Sequence, residues 1–400
     1  MSPWTFHSAG SLIFGRGTVG QLGTVADRLR AKRVFVVTDE ILVAAKLADV
    51  VIAPLAGKTI EVFAGCKPEP PLEIVRRAVA AARAFQPDVV VGLGGGSNMD
   101  TAKLVALVLA HGGDPTDYVG DCKVPGPVLP LICVPTTAGT GSEVSAAAVF
   151  TDTDKKMKVS CLSPYLRPAV ALVDPLLTVG CPKTVTADSG IDALTHAIEA
   201  FTAVDQTTFL TRPPGGETVY QGKNPMADLM AAEAITLVSR YLRRAVADGL
   251  DLEARDGMAL AATLGGLAFA NAGVALVHAM EYPVGGAVHV SHGAGNGLLL
   301  PYVMRYNLGV RTREFANIAL FMDAADISAD DAVNAPRAIE AVENLRADIG
   351  IPTRLRDLGV TEAMLPGFAE KAFTIKRLMR VNPRFPASAD EILAIYRMAF

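Results

Sequence analysis

Short apolar runs alternate with helix-length segments up to about residue 184, and then the runs stop. This change of pattern constrains the fold more than any other feature of the chain. Arg33-Val34-Phe35-Val36-Val37-Thr38-Asp39 predicts a buried strand with a loop at its end, and Asp88–Gly92, Val128–Val134 and Val170–Val173 predict three more. Between them, Glu73–Phe85 has helical periodicity, Pro87 ends it, and a second helix is predicted from about Asn98 to Leu109. Short apolar runs separated by helices suit a largely parallel sheet covered on both faces. Beyond Pro182 the chain turns to long Ala- and Leu-rich stretches, at Asp188–Phe201, Ala227–Ala247 and Asp256–Met280. The expectation is an α/β domain over residues 1–184 and an all-helical domain over residues 185–400, and 400 residues are enough for two cores.

Charge and cysteine usage exclude several classes. A formal net charge of −4, with no long block of like charge, offers nothing to nucleic acid or to an anionic membrane. Five scattered cysteines without a CxxC pair fit reduced thiols in the cytoplasm better than a disulfide framework. The N-terminus lacks a basic segment followed by an apolar one, so no signal peptide is expected. Gly257–Met280 carries no charged residue, but its Ala, Gly and Asn271 content reads as a helix buried in protein rather than in lipid. Partners are therefore expected to be small molecules, with no nucleic acid and no membrane, and the protein a homo-oligomer.

Asp192 and His196 stand four apart in DSGIDALTHAIEA, which places both on one face of a helix, a turn apart. His278 follows in GVALVHAMEYPVG and His292 in HVSHGAGNG, so three of the chain's six histidines join one carboxylate. One carboxylate with three imidazoles suits a borderline divalent metal, Fe(II) or Zn(II), with room for an exchangeable oxygen ligand.

Upstream, Gly92-Leu93-Gly94-Gly95-Gly96-Ser97-Asn98-Met99-Asp100 joins a predicted strand to a predicted helix. Glycines admit a pyrophosphate to the backbone, and a helix N-terminus offers free N–H groups and a positive dipole end. Ser97 and Asp100 are spaced as a capping box. The spacing is neither GxGxxG nor a P-loop, and a tight turn with a capped helix is the plain alternative. Asp39, at the end of an earlier strand, can accept from a ribose diol and would repel a 2′-phosphate, which favours NAD over NADP. Thr136, Thr137 and Thr140 add hydroxyls beyond another strand.

Together these segments resemble the iron-containing (group III) alcohol dehydrogenase family, of the dehydroquinate synthase-like fold. The resemblance rests on Gly94-Gly95-Gly96-Ser97 with Asp100 and Lys103, and on Pro135 through Glu143 (PTTAGTGSE). It continues with Asp174-Pro175, Gly190 through Glu199 (GIDALTHAIE), and His292-Gly293 through Leu300-Pro301. It implies a Rossmann-like N-terminal domain and a helical C-terminal one. By this resemblance Asp192, His196, His278 and His292 hold the metal, and Asp39, Gly95, Gly96, Ser97, Thr136, Thr137, Thr140 and Lys158 line the NAD site. Many members carry a further histidine four residues after the third ligand, where this chain has Tyr282, so a proton relay through that position is in doubt.

Thr211-Arg212-Pro213, Tyr220-Gln221-Gly222, Asn224-Pro225, Asn271-Ala272-Gly273 and Tyr282-Pro283 look like the hydroxyacid–oxoacid transhydrogenases of the family. Thr207–Asn224 reads as a long loop between two helices of the metal domain, and loops of that length are often functional. Arg212 within it is a candidate partner for a substrate carboxylate; a solvated loop charge or an oligomer contact is the equal alternative. The expected activity is metal-dependent, NAD-linked hydride transfer between a primary alcohol or hydroxy acid and its aldehyde or ketone. A transhydrogenase that retains its NAD, or a nucleotide- and metal-binding protein without turnover, stay as alternatives.

Overall fold

A computed structural model of the chain describes residues 3–153 and 157–400. It divides into two compact units. The α/β unit comprises Ser8–Cys181 with Glu217–Val219, and the helical unit takes the rest, including the segment up to His7.

The α/β unit is built on strands β1 (Ser11–Phe14), β2 (Arg33–Val37), β3 (Thr59–Phe63), β4 (Val89–Gly94) and β5 (Gly120–Asp121). The remaining strands are β6 (Leu131–Pro135), β7 (Ala147–Asp152), β8 (Met157–Leu162) and β9 (Val170–Val173). Helices α1 (Leu22–Arg28), α2 (Glu40–Ala44), α3 (Leu47–Ile52), α4 (Leu72–Phe85) and α5 (Gly96–His111) cover them. Six strands form one parallel sheet in the order β1-β9-β6-β4-β2-β3. Its central strands are buried along their length, so both faces are packed: Val34, Val36, Val89, Val91 and Ile132 face one cluster, and Phe35, Val37, Val90, Leu131 and Cys133 the other. The four predicted strands are these buried ones. The edge strands β1 and β3 are mixed in burial and carry no continuous apolar signal. A small second sheet, β5-β8-β7, pairs β7 and β8 antiparallel.

The helical unit comprises α6 (Lys183–Thr202), α7 (Gln206–Thr211), α8 (Pro225–Ala247), α9 (Leu252–Ala272), α10 (Leu276–Val288) and α11 (His292–Asn307). It continues with α12 (Thr312–Phe321), α13 (Asp331–Asp348), α14 (Leu365–Thr374), α15 (Lys376–Val381) and α16 (Ala389–Ala399). Two sequence readings change here. The helix expected over Asp256–Met280 is two helices, α9 and α10, bent by 106° across a short break. Gly273 makes the break with φ +111°, and a Cβ there would meet Val381 at 2.7 Å. No single helix among the described residues is long and apolar enough to cross a membrane. The loop expected over Thr207–Asn224 contains α7 in its first part, and its last residue, Asn224, caps α8 by accepting from Ala227 N–H at 3.0 Å.

Candidate metal and nucleotide sites

The break after α9 creates a new helix N-terminus, and a buried carboxylate occupies it. Glu199 of α6 accepts from Ala275 N–H at 2.8 Å and Val277 N–H at 2.7 Å, satisfying donors that the start of α10 would otherwise leave bare. The same carboxylate takes the Nδ1–H of His278, one residue further, at 2.6 Å. His278 is thus fixed in position by the start of its own helix.

Helix α11 brings His292 in by close backbone approach to α6. A Cβ at Gly293 would lie 2.0 Å from the Asp188 carbonyl oxygen, and one at Gly297 would meet Ile191 at 2.7 Å. Larger residues at these positions would push α11 off α6 and carry His292 away from Asp192. Glu281 of α10, fully buried, accepts from His292 Nδ1–H at 2.5 Å.

The ligand atoms of Asp192, His278 and His292 all lie within 4.8 Å of one another. Asn296 sits among them. Its amide nitrogen is 2.7 Å from Asp192 Oδ1, 3.2 Å from His278 Nε2 and 3.1 Å from His292 Nε2. Three acceptors crowd one NH2 group that has two hydrogens, so three lone pairs converge on a single place. That is the donor arrangement a cation needs, and its mixed oxygen and nitrogen character suits iron or zinc. His196 Nε2 lies 3.9 Å from Asp192 Oδ2, and its ring stacks on Phe269 and on His278. Burial pushes the His196 imidazole down to about 4, against the pull of Asp192, so the ring stays neutral. Its Nδ1 is buried and has no hydrogen-bond partner among the described residues. The structure therefore gathers all four predicted ligands, three of them tightly. Tyr282 stands on α10 beside Glu281, its ring 6.2 Å from that of His292.

Arg212 is bound to main-chain oxygens. Its Nη1 donates to Asn382 O at 2.5 Å and its Nη2 to Pro383 O at 2.8 Å. Arg380 reciprocates, donating to Phe209 O at 2.9 Å and Pro214 O at 3.1 Å while stacking over Phe209. The two guanidinium groups latch the segment after α7 to the segment after α15, and both terminal nitrogens of Arg212 donate to main-chain oxygens. The residues that suggested a transhydrogenase are likewise in structural use. Gln221 binds Thr5, Asn271 bonds the backbone of His7 in both directions, and Gly222 packs on Val204 with φ +75°.

In the α/β unit the predicted nucleotide residues leave the carboxyl ends of neighbouring strands β2, β4 and β6, where ligands gather on open sheets. Gly94 ends β4 with φ +138°, Gly95 caps α5 and Gly96 begins it. A Cβ at Gly96 would meet Thr140 at 2.9 Å, so the two loops touch. The expected capping box is absent because α5 starts earlier than predicted, at Gly96, with no side-chain cap. Ser97 instead accepts from Glu69 N–H at 3.1 Å, and Asp100 accepts from Ser142 at 2.6 Å and Val149 N–H at 3.0 Å. Fully buried Lys103 donates to Ser142, Ser145 and the Ala147 carbonyl, clamping the PTTAGTGSE loop onto α5. Lys158 on β8 pairs with Glu69 at 2.7 Å.

Asp39 caps α2 through Leu42 N–H at 2.9 Å and accepts from the Asn98 amide at 2.7 Å. Each carboxylate oxygen keeps a second lone pair for a diol. Thr136 N–H donates to Gly94 O at 3.1 Å, and Thr140 Oγ1 accepts from Ser142 N–H at 3.3 Å. Sequence reasoning missed Glu69, Asn98, Glu199, Glu281 and Asn296 as contributors. For the last three the signal was there, as His196-x-x-Glu199, His278-x-x-Glu281 and His292-x-x-x-Asn296.

The family comparison agrees with this arrangement. The description "Iron-containing alcohol dehydrogenase" matches residues 9–175, and "Fe-containing alcohol dehydrogenase family, C-terminal" matches residues 218–400. The chain belongs to the iron-containing alcohol dehydrogenase family. It is an alcohol/aldehyde oxidoreductase. It is 41% identical over 391 residues to the long-chain-alcohol dehydrogenase 1 of Geobacillus thermodenitrificans, spanning 96% of this chain and 94% of that one. It is 36% identical over 389 residues to the NAD-dependent methanol dehydrogenase of Bacillus methanolicus, spanning 97% of each. Among solved structures, a 1,3-propanediol oxidoreductase aligns over 100% of both chains with a TM-score of 0.93 and 38% identity.

Proposed function

We propose that this enzyme interconverts an uncharged primary alcohol and its aldehyde, using NAD and one divalent metal held by Asp192, His196, His278 and His292. The observation that carries the metal assignment is the convergence of Asp192, His278 and His292 on the Asn296 amide. When bound, the metal supplies Lewis acidity toward an alcohol or carbonyl oxygen, and NAD accepts or returns the hydride. The chain's part is to hold neutral imidazoles with their Nε2 lone pairs presented, and to keep water and competing cations out of a buried pocket. Asp39, Gly95, Gly96, Ser97, Thr136, Thr137 and Thr140 are assigned to NAD, with Asp39 accepting from the ribose diol. Lys158, already paired with Glu69, is assigned to holding that rim in place.

Uncharged substrates are favoured over hydroxy acids because Arg212, the one cation proposed for a carboxylate, is spent on main-chain oxygens. The names of the relatives, a methanol and a long-chain-alcohol dehydrogenase, point the same way. Cys66, Cys122, Cys133 and Cys161 are free thiols, which supports a reducing compartment such as the cytoplasm. The test is metal analysis of anaerobically purified protein, followed by an NAD-reduction screen of alcohols and hydroxy acids. Steady NADH production from simple alcohols is expected. Turnover only when an oxo acid is added would point instead to a transhydrogenase.

A further inference from the structure

Each of the three helices that bring a tightly grouped ligand also carries, on the same face, a polar residue that grips the ligand of a neighbour. Helix α6 carries Asp192, and its Glu199 grips His278 of α10 at 2.6 Å. Helix α10 carries His278, and its Glu281 grips His292 of α11 at 2.5 Å. Helix α11 carries His292, and its Asn296 grips Asp192 of α6 at 2.7 Å, which closes the cycle. Glu281 follows His278 by three residues and Asn296 follows His292 by four, the spacings that share a helix face.

All three gripping residues are buried, Glu199 to 4% exposure and Glu281 and Asn296 completely. A buried carboxylate is costly unless its lone pairs are filled. Glu199 offsets that cost with two backbone N–H groups and an imidazole, a commitment larger than helix packing alone requires. Ordinary packing would also be served by apolar residues, and those would leave each imidazole able to rotate and to choose either tautomer. With a carboxylate on each Nδ1–H, His278 and His292 have their Nε2 lone pairs fixed toward one point. Among the described residues His196 Nδ1 has no hydrogen-bond partner; its ring stacks on Phe269 and His278, and its Nε2 is no nearer than 3.9 Å to Asp192 Oδ2.

We propose that Glu199, Glu281 and Asn296 form a closed ring of positioning residues that pre-sets Asp192, His278 and His292 before the metal arrives, leaving His196 as the ligand that adjusts. This rests on the metal reading given above. The ring is a statement about affinity and tautomer, so it is separable from helix stability. Carboxylate partners of metal-ligating histidines are worth about 10- to 100-fold in metal affinity. Glu281 is a cleaner position than Glu199, whose carboxylate also holds the Ala275 and Val277 N–H groups at the start of α10.

The experiment uses the full chain, stripped of metal under anaerobic conditions and titrated with Fe(II) against a chromophoric chelator. Parent, Glu281→Gln and Glu281→Ala are compared. Nitrogen chemical shifts of the histidine rings are recorded on the metal-free proteins. Fe(II) affinity is expected to fall by about 10- to 100-fold in Glu281→Ala and by less in Glu281→Gln, whose amide oxygen still accepts from Nδ1–H. The His292 ring is expected to show a single Nδ1–H tautomer in the parent and a mixture in Glu281→Ala. Affinity and tautomer unchanged, with only the melting temperature of the metal-free protein lowered, would make Glu281 helix glue and overturn the proposal. If Glu281→Ala does not fold, Glu281→Leu, which fills the site without an acceptor for Nδ1–H, decides, and parent-like affinity and tautomer there also overturn it. A parent that binds neither Fe(II) nor Zn(II) would defeat the metal reading itself, a result distinct from failure of the ring.

Discussion

The helical unit builds its candidate site from side chains, and the α/β unit builds its own mainly from backbone. Asp192, His278 and His292 are each gripped by a polar side chain reaching from another helix. At the rim of the parallel sheet, the shape comes from Gly94, Gly95 and Gly96, whose missing Cβ atoms let the β4–α5 turn and the Thr136–Thr140 loop meet. A metal needs a few donors at fixed points, and side chains on rigid helices provide them. A dinucleotide needs an extended anion-tolerant edge, and N–H groups at a helix start provide that with little side-chain identity. The two sites should therefore respond differently to single substitutions.

The sharpest separation is His196→Ala. Loss of one ligand should cut turnover by about a thousandfold or more, since Lewis-acid assistance is worth several kcal/mol. NADH affinity, read by fluorescence titration, should change by less than about twofold because the nucleotide residues belong to the other compact unit. Full metal content and normal turnover in that variant would sink the ligand assignment.

Arg212→Ala tests whether the segment after α7 belongs to the chemistry or to the scaffold. Two of its donors go to main-chain oxygens at 2.5 and 2.8 Å, and charge-assisted bonds of this kind are worth about 1.5–3 kcal/mol each. The expected outcome is a loss of about 3 kcal/mol in unfolding free energy, the low end for two such bonds at a half-buried site. Any change in kcat/KM should be equal for a hydroxy acid and for an uncharged alcohol of the same length. A selective loss for the hydroxy acid would restore the carboxylate role.

These two substitutions also show what the sequence could convey. The grouping of His196 with Asp192 was legible because a helix restricts the spacing. The surroundings of Arg212 were not, because sequence reveals a cation but not the carbonyl groups that a folded chain turns toward it. The buried strands β2, β4, β6 and β9 were legible from unbroken apolar runs, whereas edge strands β1 and β3 were not, since only part of each is covered. The bend between α9 and α10 was hidden in an uncharged stretch because Gly273 alone signals it, and glycine also occurs inside helices, as Gly257, Gly265 and Gly266 do here. Glu199 and Glu281 were within the quoted segments and lacked only the question of what holds each imidazole.

Asp39 probes the backbone-built site at a charged point. Replacing it with glycine should narrow the preference for NAD over NADP by about tenfold, through loss of repulsion toward the 2′-phosphate. The same change also removes the cap on α2, made through Leu42 N–H. Asp39→Ser keeps a capping oxygen while removing the charge, so it should shift the cofactor preference with little loss of stability. If the parent already uses NADP as well as NAD, or if the serine variant leaves the preference unchanged, Asp39 does not select the cofactor.

Tyr282 should give the smallest effect. By the family resemblance many members carry an imidazole at its position, one turn after His278 and next to Glu281. Its ring lies 6.2 Å from that of His292, close enough to wall the pocket and to exclude water. Proton relay is another matter. A phenol in a peptide titrates near 10 and an imidazole near 6.5, and efficient general acid–base work needs a value near the operating pH. The wall role needs the ring and not the hydroxyl, so Tyr282→Phe should change kcat/KM by less than about threefold, whereas a lost acid–base group would cost about 10²-fold or more. Tyr282→His should add a pH-dependent limb to kcat in the range where imidazole titrates, while metal content stays that of the parent. A hundredfold loss in Tyr282→Phe at full metal occupancy would show that the hydroxyl carries the proton. Departure from the common histidine would then be an exchange of one relay for another instead of the loss of a relay.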